Sequence, residues 1–245
     1  MKYLLDADGL AHFRHFRSRN TLIAFDYDGT LAPIVARPED ARMRESTRAL
    51  LARVARRYPV IVLTGRSRKD AVAHLSGVPL LEIIGSHGVD RQGTTVPRFF
   101  GRVALWRAEL VERLQALVGV RIEDKGYSLS VHYRHSQDPD AAKAAIAEAA
   151  GALEGARVLG GKKVVNVMPH DAPDKGAALL TACERYGSAR AIYLGDDDTD
   201  EDAFAAGPLD RILAVRVGES ATSCASHYLR SQDEVDRVLE LLLEA

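Results

Sequence analysis

The run Leu22-Ile23-Ala24-Phe25-Asp26-Tyr27-Asp28-Gly29-Thr30 decides how this chain folds. Four consecutive apolar residues, bounded by a turn signal, read as a strand buried on both faces, which is the pattern of a parallel sheet. Asp26 then stands at the strand's carboxyl end, where open α/β sheets place their ligands. Extended alternation turns Asp26 and Asp28 to the same side, and Gly29-Thr30 lets the chain bend away. The same arrangement recurs far downstream, where Ala191-Ile192-Tyr193-Leu194 leads into Gly195-Asp196-Asp197-Asp198-Thr199-Asp200. The chain therefore carries two acidic strand ends.

If Asp26, Asp28, Asp196 and Asp200 converge within roughly 5 Å, each ionised pair repels by about 3 kcal/mol at an effective dielectric near 20. Several such pairs burden a fold whose net stability is small. Shared protons or a hard divalent cation relieve the repulsion. An oxygen-only set with no His or Cys nearby favours Mg²⁺ over zinc.

Outward from these runs, strand and helix patterns alternate. A helix is expected near residues 43 to 57, a strand over Val60 to Leu63, a helix near 67 to 76 and a strand over Leu81 to Gly85. After residue 173 follow a helix from Lys175 to Tyr186, the strand Ala191 to Leu194, a helix opened by Thr199, a strand from Arg211 to Val217 and a closing helix from Glu234 to Glu244. This alternation predicts an α/β fold with a doubly wound, Rossmann-like parallel sheet. Residues 100–170 break the rhythm with a helix near Arg102 to Leu117, two adjacent strands, a second helix and a hairpin about Gly160-Gly161. They read as an inserted α+β cap, with residues 1–99 and 171–245 as the core and hinges near 96–101 and 169–173. Asp138 and Pro139 mark the N-cap and first turn of the second cap helix.

Length and composition narrow the function. With 245 residues the chain buries about 72 % of its unfolded surface, enough for one large core or two modest ones. A net charge of -1 gives no general reason to attract nucleic acid, and no apolar stretch reaches the roughly 18 residues of a membrane span. Cys183 and Cys224 match no metal-ligand spacing, and the first twenty residues hold no apolar signal segment. A cytoplasmic monomer acting on a small molecule is expected.

The Asp26/Asp28 pair suits covalent phosphoryl transfer, one carboxylate attacking phosphorus and the other serving as general acid and then base. Such chemistry needs donors around the phosphoryl oxygens. Thr64, before Gly65-Arg66, ends a strand at a strand-to-helix junction suited to anions. Lys175 opens a helix, where the dipole disfavours a cation, so that its position needs a reason. His87, in Gly85-Ser86-His87-Gly88, reads as a hydrogen-bonded structural histidine. In the cap, strand parity turns Tyr127, Leu129, Val131 and Tyr133 one way and Ser128, Ser130, His132 and Arg134 the other. Glu123 with Lys125, and Lys162 with Asn166, share parity on neighbouring strands, giving one polar face.

These residues, in this order, resemble the haloacid dehalogenase superfamily of phosphatases: Asp26 to Thr30 looks like its first motif, Thr64 its second, Lys175 its third, and Asp196 with Asp200 its fourth. Within it, Leu63-Thr64-Gly65-Arg66, Gly85-Ser86-His87-Gly88, Val131-His132-Tyr133-Arg134, Gly161-Lys162-Lys163-Val164-Val165 and the aspartate-rich segment from Gly195 to Phe204 look like the trehalose-6-phosphate phosphatase family. The resemblance implies Asp26 as nucleophile, Asp28 as general acid/base, and Mg²⁺ held by Asp26, Asp196 and the backbone carbonyl of Asp28, with Asp200 in support. It implies phosphate contacts from Thr64 and Lys175, with Gly65 and Arg66 counted among the substrate-binding residues, and disaccharide contacts from Glu123, Lys125, Arg134 and Lys162. Where that family usually has Glu and then Arg before a proline, this chain has Asn166 and Met168, an altered sugar contact. The implied activity is release of phosphate from trehalose 6-phosphate, the last step of trehalose biosynthesis. The rivals are another sugar phosphatase and, from a different class, a phosphoacceptor signalling module.

Overall fold

The computed structural model describes residues 1–35, 37–93 and 97–244. They form two compact units, one of residues 1–92 with 173–245 and one of residues 93–172.

In the first unit the chain runs through β1 (Lys2–Tyr3), α1 (Ala7–Phe16), β2 (Leu22–Phe25), α2 (Glu45–Ala55), β3 (Val60–Leu63), α3 (Arg68–His74) and β4 (Glu82–Ile84). It returns, after the second unit, with the helix, strand and helix Lys175–Arg185, Ala191–Gly195 and Glu201–Phe204, then the strands Ile212–Val217 and His227–Leu229 and a last helix Val235–Leu243. With the second unit's elements numbered first, these become α6, β9, α7, β10, β11 and α8. All seven strands pair in parallel, in the order β1-β11-β10-β9-β2-β3-β4.

The apolar run that opened the sequence reading explains the two layers. Leu22 and Ala24 pack into a core with Leu179 and Ala182 of α6 and Phe204 of α7. Ile23 and Phe25 point the opposite way, into a core with Phe13 and Phe16 of α1, Leu51 and Val54 of α2, and Leu239 and Leu242 of α8. All four are fully buried, as period-two alternation between two apolar layers requires. The doubly wound sheet expected from the sequence is thus present. β2 and β9 are neighbours, with Phe25 opposite Leu194, although their connections depart in opposite directions across the sheet. That reversal opens a crevice at their carboxyl ends, just where Asp26 and Asp196 follow.

The N-terminal edge escaped the sequence reading. β1 is two residues long and pairs with β11 more than two hundred positions later, so no local pattern announces it. Arg17 and Arg57 close the far end of α8: their Nη1 atoms donate to the carbonyls of Leu241 and Leu243, at 2.8 and 2.7 Å. Positive charge there complements the helix dipole.

The second unit contains α4 (Pro97–Leu114), β5 (Arg121–Asp124), β6 (Leu129–His132), α5 (Pro139–Gly151), β7 (Ala156–Gly161) and β8 (Val164–Pro169). Its antiparallel sheet has the order β5-β6-β8-β7. Val103, Trp106 and Leu110 of α4 and Ile146 of α5 pack with Leu129, Val131, Val165 and Val167. The apolar parity of β6 therefore faces the helices, as the alternation predicted, and α5 carries the predicted cap, with Asp138 Oδ1 accepting from Ala141 N at 3.0 Å.

Two expectations need correction here. The first helix starts at Pro97 and not near Arg102, because proline suits a helix's first position. The hairpin turns at Lys162-Lys163, since Gly160 and Gly161 pair with Val165 and Val164 in the ladder. Lys163 takes the positive φ of this two-residue loop, at 64°. Of the expected hinge positions, residue 96 lies outside the described residues, and 97–101 form the first turns of α4.

Candidate active site

Asp26 follows β2, and its backbone N–H donates to Leu194 of β9 at 2.8 Å. Gly195 ends β9, and the chain turns there through the short 3-10 helix Asp198–Asp200. Carboxylate oxygens of Asp26, Asp196 and Asp200 come within 4.8 Å of one another, and all three residues are buried. Lys175, the first residue of α6, is bonded to two of them: its Nζ donates to Asp26 Oδ1 at 2.9 Å and to Asp200 Oδ1 at 2.6 Å. These two carboxylates are the reason a cation can sit at this helix N-terminus against the dipole. Asp174 caps the helix in the ordinary way, accepting from Ala177 N.

Three buried carboxylates against one ammonium leave an acidic excess. Burial pushes the Asp26 carboxyl well above its usual range; Lys175 opposes the shift while Asp200 and Asp196 add to it. Lys175 itself is desolvated, which would lower its pKa, yet Asp200 and Asp26 outweigh that and hold it above the ordinary lysine range. It stays charged.

Asp200 is the fully occupied member of the cluster. Its Oδ2 accepts from the backbone N–H groups of Asp196 and Asp197 at 2.9 and 3.0 Å, and its Oδ1 accepts from Lys175 and from the hydroxyl of Tyr193 at 2.6 Å each. Four donors take up the lone pairs of an ionised carboxylate. Asp200 thereby fixes the loop that presents Asp196. A hard divalent cation bound here would take carboxylate oxygens from Asp26 and Asp196, and an all-oxygen, net-acidic donor set fits such an ion.

Tyr193 was missed by the sequence reading. Burial, reinforced by Asp200 and Asp26, holds its phenol far above the usual range, so it remains a donor. The available signal was a hydroxyl inside an otherwise apolar strand that runs directly into an acidic turn. Two glycines are set by the same crowding. A Cβ on Gly29, whose φ is +88°, would lie 2.1 Å from Asp196 Oδ2, and one on Gly195 would lie 2.3 Å from Asp200 Cγ. Only hydrogen fits at either place.

Asp28, expected to converge with Asp26, Asp196 and Asp200, is not one of the three clustered carboxylates, and its side chain is 38 % exposed. Arg66 holds it through two bonds, Nε to Oδ2 and Nη2 to Oδ1, both 2.7 Å. Thr64 follows β3 and is buried; its Oγ1 accepts from Arg66 N at 3.2 Å. Gly65 lies under the His87 ring, so that a Cβ there would meet His87 Cε1 at 2.5 Å. Ser86 and His87 both adopt left-handed φ, 49° and 57°. This costly geometry aims their N–H groups at the carbonyls of Arg66 and Thr64, at 2.7 and 3.0 Å. The Thr64-Gly65-Arg66 loop is thereby braced from behind.

The remaining predicted residues lie in the second unit. Glu123 on β5 stands opposite Ser130 on β6, which in turn faces Asn166 on β8. Ser130 Oγ donates to Asn166 Oδ1 at 2.6 Å, and Glu123 Oε2 lies 2.8 Å from His132 Nε2. That hydrogen bond is the main cause holding the Glu123 carboxyl down at about 2, against burial. Lys125 and Arg134 flank these strands, and Lys162 sits in the β7-β8 turn rather than on a strand. Of the polar face expected from parity, Glu123, Ser130 and Asn166 form one cross-strand row, whereas Lys125 and Lys162 lie outside the strands on which they were expected.

Comparison with known proteins gives this geometry a family. The sequence profile described as Trehalose-phosphatase matches residues 24–226. A probable trehalose-phosphate phosphatase 4 of Oryza sativa subsp. japonica is 32 % identical, covering 93 % of this chain and 67 % of the relative. A trehalose-phosphate phosphatase of Mycobacterium avium is 36 % identical, covering 81 % of this chain and 52 % of the relative. The chain thus spans about half to two thirds of the length of these relatives. Among solved structures, the C-terminal domain of trehalose-6-phosphate phosphatase from C. albicans superposes with a TM-score of 0.83 at 21 % identity, covering 96 % of this chain and 98 % of that one. The trehalose-6-phosphate phosphatase of Aspergillus fumigatus gives 0.66 at 26 % identity, covering 99 % and 98 %.

Proposed function

We propose that this chain, which belongs to the trehalose-phosphatase family, hydrolyses trehalose 6-phosphate to trehalose and orthophosphate with Mg²⁺ as its metal. The observation that carries the reading is the buried triad of Asp26, Lys175 and Asp200, with Asp28 two residues beyond the nucleophile position.

In this mechanism an Asp26 carboxylate oxygen attacks phosphorus. The bond from phosphorus to the sugar oxygen breaks, its electron pair stays on that oxygen, and Asp28 supplies the proton. Water then attacks the aspartyl-phosphate and gives a proton back to Asp28. The bond from phosphorus to Asp26 breaks, which restores the carboxylate and frees orthophosphate. Lys175 aims Asp26 by gripping Oδ1, and the Thr64-Gly65 loop, stiffened by Ser86 and His87, supplies donors to the phosphoryl oxygens. Mg²⁺, held by Asp26, Asp196 and the Asp28 carbonyl, would offset the acidic excess and the charge of the phosphoryl group. Glu123, Lys125, Arg134, Lys162 and Asn166 are assigned to the sugar. Because Asn166 already accepts from Ser130, its amide presents donors where the family's glutamate presents an acceptor, and a different glycosyl phosphate is the second reading.

Phosphate release measured on trehalose 6-phosphate, sucrose 6-phosphate and glucose 6-phosphate, each with Mg²⁺ and with EDTA, tests the reading. Turnover is expected to favour trehalose 6-phosphate by at least about tenfold and to vanish in EDTA. Equal rates across the panel would remove the trehalose assignment; full activity of Asp26→Ala would remove the mechanism.

A further inference from the structure

Arg66 counts among the substrate-binding residues expected from the sequence, but its surroundings point elsewhere. A guanidinium has five N–H donors. Here Nε donates to Asp28 Oδ2, Nη2 to Asp28 Oδ1 and to the Pro38 carbonyl at 2.6 Å, and Nη1 to Asp70 Oδ2 at 2.6 Å and to His74 Nε2 at 3.1 Å. All five are used. The guanidinium is only 7 % exposed, and its face lies over the Tyr27 ring, 5.3 Å from the centroid. Tyr27 is held in its turn, donating from its hydroxyl to the Ala41 carbonyl at 3.0 Å.

We propose that Arg66 is a positioning residue that fixes the carboxylate plane of Asp28, and that it does not bind the phosphoryl group. Two parallel bonds from one planar fork define that plane as no single contact does. Asp70, His74, Pro38 and Tyr27 hold the fork from its other sides, so the fork is set before any substrate arrives. Asp28 needs such help more than Asp26 does. It is partly exposed and, unlike Asp26, is not gripped by Lys175; a loose aspartate samples several staggered side-chain orientations. Residues 66, 70 and 74 are spaced four apart, which puts Arg66, Asp70 and His74 on one face leading into and along α3. That stripe was legible in the sequence once Arg66 was considered as a partner of helix side chains.

The inference rests on the phosphatase reading, with Asp28 as proton donor to the leaving oxygen and acceptor from water. It separates two classes of ester. A sugar oxygen leaves only if protonated, whereas p-nitrophenolate leaves unprotonated; both then depend on Asp28 in the hydrolysis of the aspartyl-phosphate. Rapid-quench and steady-state kinetics of wild type, Arg66→Met, Arg66→Lys and Asp70→Asn on trehalose 6-phosphate and p-nitrophenyl phosphate, with inorganic phosphate as inhibitor, test it. Arg66→Met is expected to lower kcat on the sugar phosphate about 100-fold with little change in KM. Its p-nitrophenol burst should slow by less than about threefold, and inhibition by phosphate should change by less than about threefold. Arg66→Lys and Asp70→Asn should show the same split at smaller size, and they decide the matter if Arg66→Met does not fold. Equal loss in burst and in sugar-phosphate turnover, together with weakened phosphate inhibition, makes Arg66 an anion-binding group and overturns the proposal. A wild type that frees phosphate from neither ester removes the phosphatase reading itself and takes the proposal with it.

Discussion

Lys175 Nζ lies 2.6 Å from Asp200 Oδ1 at the N-terminus of α6, where the helix dipole alone would disfavour an ammonium. Asp26, 2.9 Å from the same nitrogen, shares the charge. One cation thus joins a strand end at position 26 to a turn at position 200. Lys175→Met keeps the length of the side chain and removes the charge. Breaking a buried pair on one side costs about 3 to 5 kcal/mol. A clear fall in Tm is therefore expected together with loss of turnover by at least about 100-fold. A Tm equal to that of wild type would show that the ammonium does not balance the cluster.

Tyr193→Phe removes one of the four donors on Asp200 without changing shape. Loss of a hydrogen bond to a charged group is worth about 1.5 to 3 kcal/mol. Denaturant unfolding should register that loss, and kcat should fall by roughly tenfold as the Asp196 turn loosens. Unchanged stability would mean that Lys175 alone satisfies Asp200 Oδ1.

Gly29→Ala tests the crowding at the turn. The new methyl would sit within 2.1 Å of Asp196 Oδ2 at a φ of +88°, so the carboxylate must move. Activity should drop at least about 100-fold, while Ala at Gly77, whose Cβ meets nothing within 4 Å, should be active. Full activity of Gly29→Ala would show that Asp196 is free to shift.

Mg²⁺ should stabilise the protein in proportion to its occupancy, by about 2.7 kcal/mol at a hundredfold excess over Kd. A rise in Tm on adding Mg²⁺ is expected for wild type and not for Asp196→Asn. An equal rise in both would place the ion elsewhere.

His227 sets an acid limit. Burial, aided by His12 and Lys2, lowers its pKa to about 4, and its ring centroid is 5.0 Å from that of His12. An unfolded histidine titrates near 6.5, so between pH 6.5 and 4 the unfolded chain takes up a proton that the folded one refuses. Stability conferred by the neutral ring is therefore fully present above pH 6.5 and declines as pH falls toward 4, by up to about 3 kcal/mol. His227→Gln should flatten that slope in a series of melts; an unchanged slope would assign the acid sensitivity to other groups.

Much of the site was legible because its residues sit where short-range rules are strong. Leu22 to Phe25 announces its own double burial, Asp26 and Asp196 follow their strands directly, and Asp138 precedes Pro139 as a helix start must. What stayed hidden depends on partners distant in the chain. Nothing near Lys2 and Tyr3 signals pairing with His227 and Tyr228. Arg66 reads as a substrate-binding residue until Asp28, Pro38, Asp70 and His74 are seen to occupy it. Gly160 and Gly161 mark a bend by composition, yet their hydrogen bonds place them in a ladder and leave the turn to two lysines.

The interruption of the parallel sheet sets an order of events at the ribosome. Residues 93–172 are contiguous and contain every strand of their own sheet. β2 must wait for β9, and β1 for β11, which emerge after that insert is complete. During synthesis the insert therefore has all its partners first, and domains commonly fold as units as they appear. The aspartate at position 26 leaves the ribosome long before the lysine at 175 and the turn at 196–200 that it meets in the folded state, so the buried acidic cluster cannot assemble until residue 200 has been synthesised.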